Sequence, residues 1–173
     1  MTDPYPFTFE AEIERFGVGK TRKVWYQVLM LPGELQAELP FHTYPRLRVE
    51  GEIADVPVAN AFIPTGDGRV YVIVGPEVRD AADVGIGDVV TMRFGIADQD
   101  AVDVPERLQG ALDADKVALR AWGELTPGKK RAVSQHVKSA KTEPTILRRI
   151  DEALEIVTEH KGDLRSWRDS RKR

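Results

Sequence analysis

Hydrophobic and polar positions change their period once along the chain, near Val104. Before that point the period is 2. Phe7, Phe9, Ala11 and Ile13 alternate with Thr8, Glu10, Glu12 and Glu14, which predicts one half-buried strand from Tyr5 to Phe16. Val24 to Met30 (VWYQVLM) reads as a second strand. RLRVEGEI, VPVANAFI and RVYVIV follow between Arg46 and Val74, and Val89 to Ile96 completes the set. Ala54-Asp55 is the turn available between Ile53 and Val56, and Pro64 to Gly68 is a strong turn before Arg69. Short connections of this kind fold antiparallel strands back on one another.

After Val104 the period becomes that of helices. Pro105 opens one helix to about Leu112, and a second covers roughly Asp115 to Gly123. Thr126-Pro127 caps a third with the stripe Ala132, Val133, His136, Val137 and Ala140. Thr142-Glu143-Pro144 caps a fourth with Ile146, Leu147, Ile150, Ala153, Leu154 and Val157, stopped by Gly162. Two such helices with a very short connection pack as a hairpin. The tail 163–173 offers Leu164 and Trp167 as anchors and is expected to fray at its end.

Charge divides the chain at the same place. Residues 1–100 hold 9 Lys and Arg against 16 Asp and Glu, while residues 101–173 hold 16 against 12. A basic half can hold an anion or a nucleic-acid backbone, although a modest excess more often marks a solvated helix surface. With no Cys, disulfides and thiolate metal sites are excluded. No run approaches the roughly 20 apolar residues that span a bilayer, and MTDPYPFTFE lacks the regions of a signal peptide, so a cytoplasmic protein without a membrane partner is expected.

Candidate chemistry is sparse. Gly17-Val18-Gly19-Lys20-Thr21 ends like a phosphate-binding loop, but Glu14 stands where its first Gly belongs and a strand follows where a helix should. His136 sits on an apolar stripe without a second ligand one turn away, so a core or interhelical His is expected, and His42 is an isolated loop residue. Asp98, Asp100 and Asp103 lack the calcium-loop spacing, and no G-x-S-x-G elbow is present. No catalytic residue, metal or cofactor is assigned. Arg131, Ser134, Lys138 and Lys141 project from the third helix away from its apolar stripe, with Lys130 at the edge. Arg149 borders the apolar stripe of the fourth helix, where its stem can cover apolar surface, and Arg148 shares a face with Glu152 and Glu155. Arg131, Lys138, Lys141 and Arg149 are therefore the candidate anion site. Trp25, Tyr26, Arg48 and Tyr71 are the candidate lining of a small-molecule pocket.

The ordered segments VWYQVLMLPGEL, RVEGEIADVPVANAFIPTGDGRVYVIV and VGIGDVVTMRFGIAD resemble a domain-of-unknown-function family of small barrels in bacterial proteins. The segments VDVPERLQGALDAD, WGELTPGKKR and SAKTEPTILRRIDEAL resemble the bacteriocin-protection family, also called YdeI or OmpD-associated. Ala140-Lys141, Thr145 and Arg149-Ile150 match the pattern of its last helices, while Ile146 stands where an Arg follows the Thr in relatives. The resemblance implies a double-split β-barrel, shared with AbrB-type DNA-binding regulators, followed by a helical segment, and it implies no reaction.

The expectation is an α+β protein: an antiparallel double-split barrel of about six strands over residues 1–100, a helical segment over 101–162 and a basic tail over 163–173. Its expected role is non-enzymatic binding or stress protection, with an unknown ligand or protein partner and a monomeric or homodimeric state. A small-molecule-binding barrel with enzymatic activity and a nucleic-acid-binding regulator are the alternatives. Nucleic acid is the less favoured partner because AbrB-type binders need a basic barrel and this one is acidic.

Overall fold

The structure, a computed structural model, describes residues 2–173. It is α+β, with two antiparallel four-stranded sheets in one compact unit ending at Gln99 and helices alone in a second from Asp100 to Arg173.

The strands are β1 (Phe7–Glu12), β2 (Glu14–Val18), β3 (Val24–Met30), β4 (Arg48–Ile53), β5 (Val56–Ala61), β6 (Ile63–Pro64), β7 (Val70–Ile73) and β8 (Val89–Ile96). They form one sheet in the order β1-β8-β4-β5 and another in the order β2-β3-β7-β6. There are eight strands instead of about six because two predicted strands each break at a buried residue. Ile13 ends β1 and begins the passage to β2 in the other sheet. Its backbone N–H donates to the Asp88 carbonyl at 2.8 Å and its carbonyl accepts from Gly87 at 2.9 Å. Phe62 does the same between β5 and β6, donating from its N–H to the Leu47 carbonyl. Such corners let one chain segment serve two packed sheets.

Both corner residues are fully buried in the core between the sheets, with Leu29, Leu47, Val49, Ile53, Val72, Met92 and Phe94. The Phe62 ring meets Phe94 edge-on at 5.1 Å and Phe41 at 6.1 Å. Gly51 of β4 pairs with Phe94 of β8, and a Cβ on Gly51 would run into the Arg93 carbonyl, so only Gly allows this approach. The β4–β5 turn is Ala54-Asp55, both at positive φ (50° and 65°), the hand that matches the twist of a tight hairpin. Strand β7 lies between β3 and β6 with Val70, Tyr71 and Val72 buried. Two short helices, α1 (Gly33–Glu38) and α2 (Pro76–Ala82), complete this unit; Pro76 in the first turn of α2 suits the fixed φ of proline.

The second unit contains α3 (Glu106–Asp113), α4 (Lys116–Gly123), α5 (Pro127–Lys138), α6 (Glu143–Glu159) and α7 (Leu164–Ser170). Asp115 and Thr126 cap α4 and α5 by accepting backbone N–H groups. Leu164 and Trp167 anchor the tail: Asp163 accepts from the N–H groups of Arg165 and Ser166, starting α7, and both side chains pack in the helical core. The apolar faces differ in detail from the predicted stripes. Leu147 is exposed and Ile156 fully buried on α6, while Ala132 is exposed and Ser134 buried on α5, so Ser134 does not belong to an outward basic face. Among the described residues no helix is long and apolar enough to cross a membrane.

Candidate functional site

The four residues expected to line a pocket in the first unit are not brought together. Met30 pairs with Tyr71 and Phe16 with Tyr26, so Tyr26 and Tyr71 share one face of their sheet while Trp25 takes the other. Tyr71 is buried against the Phe16 ring at 4.9 Å, and burial pushes its phenol pKa up. Arg48 belongs to the other sheet. Its Nη1 donates to the Asp98 carbonyl at 3.3 Å, and Gln99 clasps its backbone with Nε2 2.8 Å from the carbonyl.

The basic face of α5 is engaged within its own unit. Lys138 Nζ lies 2.6 Å from the Asp103 carboxylate, and Arg131 donates to the Ala101 carbonyl at 3.1 Å. Lys130 lies 6.0 Å from the Trp122 ring centre, and Lys141 is exposed in the connection to α6. An exposed pair such as Lys138–Asp103 adds little stability, but it offsets the Lys138 charge that this face would offer a phosphate.

Arg149 stands apart from those three and belongs to a different constellation. Facing sides of α5 and α6 bring His136 and Glu152 together, with His136 Nε2 2.7 Å from Glu152 Oε2. The His136 side chain is only 2 % exposed and that of Glu152 12 %. Arg149 Nη1 is 2.9 Å from His136 Nδ1 and 3.2 Å from Nε2. A nitrogen so placed cannot lie in the ring plane, where it would collide with the carbon between the two nitrogens, so the guanidinium lies over the imidazole face. Trp167 of α7 packs edge-on against the same ring at 5.3 Å. Burial pushes the His136 pKa below its usual value, the Glu152 hydrogen bond opposes this, and the Arg149 charge adds to the lowering. The contact is thus a neutral imidazole donating to a carboxylate rather than an ion pair.

Beside this cluster an open cleft of about 450 Å³ is lined by Ala132, Gln135, His136, Ser139, Arg149, Leu164 and Arg168. Arg149 Nε is buried and has no hydrogen-bond partner among the described residues. A donor left unmet in this way is uncommon in folded proteins. Sequence reasoning placed Arg149 and His136 correctly at the edge and centre of apolar faces but missed Glu152, Gln135 and Arg168. The one local signal was the three-residue spacing of Arg149 and Glu152, which puts both on one side of α6.

A second titratable cluster lies at the C-terminal end of α6. Glu155, Glu159 and His160 can bring one ligand atom each within 4.8 Å of one another. Arg171 donates to Glu155 at 3.1 Å and holds that carboxyl below the usual range, and His160 Nδ1 is 3.3 Å from Ser166 Oγ. Glu159 is exposed while Glu155 and His160 are half-buried, and those two already carry these partners.

Residues 101–160 match the family model described as Bacteriocin-protection, YdeI or OmpD-Associated. Residues 9–94 match a domain of unknown function, DUF1905. The helical segment is thus similar to the bacteriocin-protection, YdeI or OmpD-associated family and the sheet-containing segment to the DUF1905 domain, each match covering less than half of the chain. No curated protein and no solved structure matches it.

Proposed function

We propose that the protein is a non-enzymatic binding protein of bacteriocin-protection type whose helical unit takes a small anionic ligand, a carboxylate or phosphate, in the cleft beside His136. The observation that carries this reading is Arg149. Its guanidinium is fixed over a buried imidazole, its Nε donor is unmet, and it lines the same cleft as Arg168 and Gln135. Fixed cationic donors at a cleft recognise an anion by charge and by directed hydrogen bonds. The original four-residue anion site is accordingly recentred on Arg149, with Arg131, Lys138 and Lys141 outside it.

Binding is favoured over catalysis by the burial of His136, whose Nε2–H is directed at Glu152 instead of at the cleft. In this reading the two sheets are halves of a split barrel pinned at Ile13 and Phe62, a carrier domain for the helical site. A thermal-shift series with matched anionic and uncharged small molecules tests the proposal, using wild type, Arg149→Met and Arg168→Met. Stabilisation by anions alone, lost in both variants, is the expected result; ligand at 100 times its Kd adds about 2.7 kcal/mol. Equal stabilisation of wild type and variants would refute it.

A further inference from the structure

The hairpin joining β2 to β3 is electrostatically foreign to its unit. Residues 15–25 hold Arg15, Lys20, Arg22 and Lys23 and no acid, whereas the rest of residues 1–100 hold five cations against sixteen acids. All four cations are exposed, and none has a carboxylate within ion-pair distance among the described residues. This contrasts with Lys138, held by Asp103 in the nominally basic half.

The same hairpin exposes apolar side chains that its fold has no need to expose. Val18 is 37 % exposed and Val24 and Trp25 each 50 %. Val18 pairs directly with Val24 at the end of the ladder, so the two stand side by side on one face, and Trp25 occupies the other. The tip is kept narrow by Gly19 at φ 120°, where a Cβ would collide with the Arg22 carbonyl. Apolar groups therefore stand on both faces of a thin ribbon whose end is ringed by cations.

We infer that this hairpin is a contact site for the surface of an anionic lipid bilayer, with Val18, Val24 and Trp25 entering the headgroup boundary and Arg15, Lys20, Arg22 and Lys23 facing lipid phosphates. Trp belongs at that interface because its ring is apolar and its N–H is polar, and clustered Lys and Arg supply the attraction to negative lipid. No spanning segment is involved; the mode is peripheral.

Single-stranded nucleic acid also pairs cations with aromatics, but there the aromatic offers a free face for a base. Part of the Trp25 ring is already covered by neighbours. It lies over Gly17, where a Cβ would come within 2.9 Å of it, and the Arg15 guanidinium stands 4.1 Å from its centre. Exposed Val18 and Val24 have no counterpart in a phosphate backbone. The hairpin thus fits lipid better than nucleic acid.

Sedimentation of the full chain with vesicles of phosphatidylcholine alone, or mixed with phosphatidylglycerol, tests this at two salt concentrations. The chain is expected to sediment with the anionic vesicles at low salt and not with the neutral ones. K20Q/R22Q/K23Q is expected to lower the partition coefficient roughly 100-fold, taking about fivefold per cation near the surface. V18S/V24S should weaken binding while leaving the positive charge intact, and circular dichroism verifies that both variants fold. Equal sedimentation with neutral vesicles, none with anionic vesicles, or wild-type binding by K20Q/R22Q/K23Q would overturn the inference. So would hairpin-dependent binding of single-stranded RNA in the absence of any vesicle binding.

Discussion

His136 and Glu152 are contributed by different helices, sixteen residues apart, and meet through a 2.7 Å hydrogen bond that is nearly closed to solvent. The imidazole is held neutral by burial and by Arg149, with Arg168 adding positive charge from α7 and only Glu152 opposing them. Several properties of the helical unit depend on this arrangement.

The first is pH dependence. A His whose folded pKa is depressed binds fewer protons in the folded than in the unfolded state, whose value is about 6.5. Its stabilising contribution is complete above that pH and is lost as pH falls toward the folded pKa. Urea midpoints should therefore drop between pH 7.5 and pH 5, and the drop should shrink in His136→Gln. The lowered carboxyls of Glu143 and Glu155 act only below their ordinary value of 4.5, outside this window.

The second concerns Glu152. Glu152→Ala removes the acceptor from a buried N–H and should cost roughly 2–3 kcal/mol, read from urea denaturation. Glu152→Gln retains an acceptor of similar shape and should cost less. Equal losses would mean that the carboxylate's charge, rather than the hydrogen bond, matters to the fold.

Much of the first unit was legible in the sequence because alternation reports one buried face, and the tight Ala54-Asp55 connection was legible because nothing else separates two strands there. The corners at Ile13 and Phe62 were not. Alternation continues through Ile13, so a strand that changes sheets looks like one strand that does not. In the helical unit, His136 was readable as an interhelical residue from its stripe. Its partner was not, because spacing along α5 says nothing about which acid of α6 faces it. Ser134 misled for a related reason: a small polar side chain is compatible with either side of a helix, and here the buried side has it. The hairpin cations were hidden by the net acidity of their half, since a sum over 100 residues erases a local cluster.

Backbone geometry yields a third prediction. Asp55 holds φ at 65°, a conformation costly for a residue with a Cβ. Asp55→Gly should raise stability by about 1 kcal/mol if the relief exceeds the added freedom of the unfolded chain, read as a shift in melting temperature. An unchanged or lowered melting temperature would show that the Asp side chain compensates for its backbone.

Gly51→Ala should do the opposite. The added methyl meets backbone of the neighbouring strand rather than a side chain that could turn away. A loss of roughly 1–3 kcal/mol in chemical denaturation is expected, with disturbed amide shifts at Arg93 and Phe94.

The most direct measurement of the central claim is a phosphate and acetate titration followed by NMR, reading the Arg149 Nε–H and the His136 ring in wild type and in Arg149→Met. The account predicts saturable shifts at both groups, an Arg149 Nε–H that becomes protected from exchange, and loss of the His136 response in the variant. Shifts confined to Arg131, Lys138 and Lys141, or none that saturate, would contradict it.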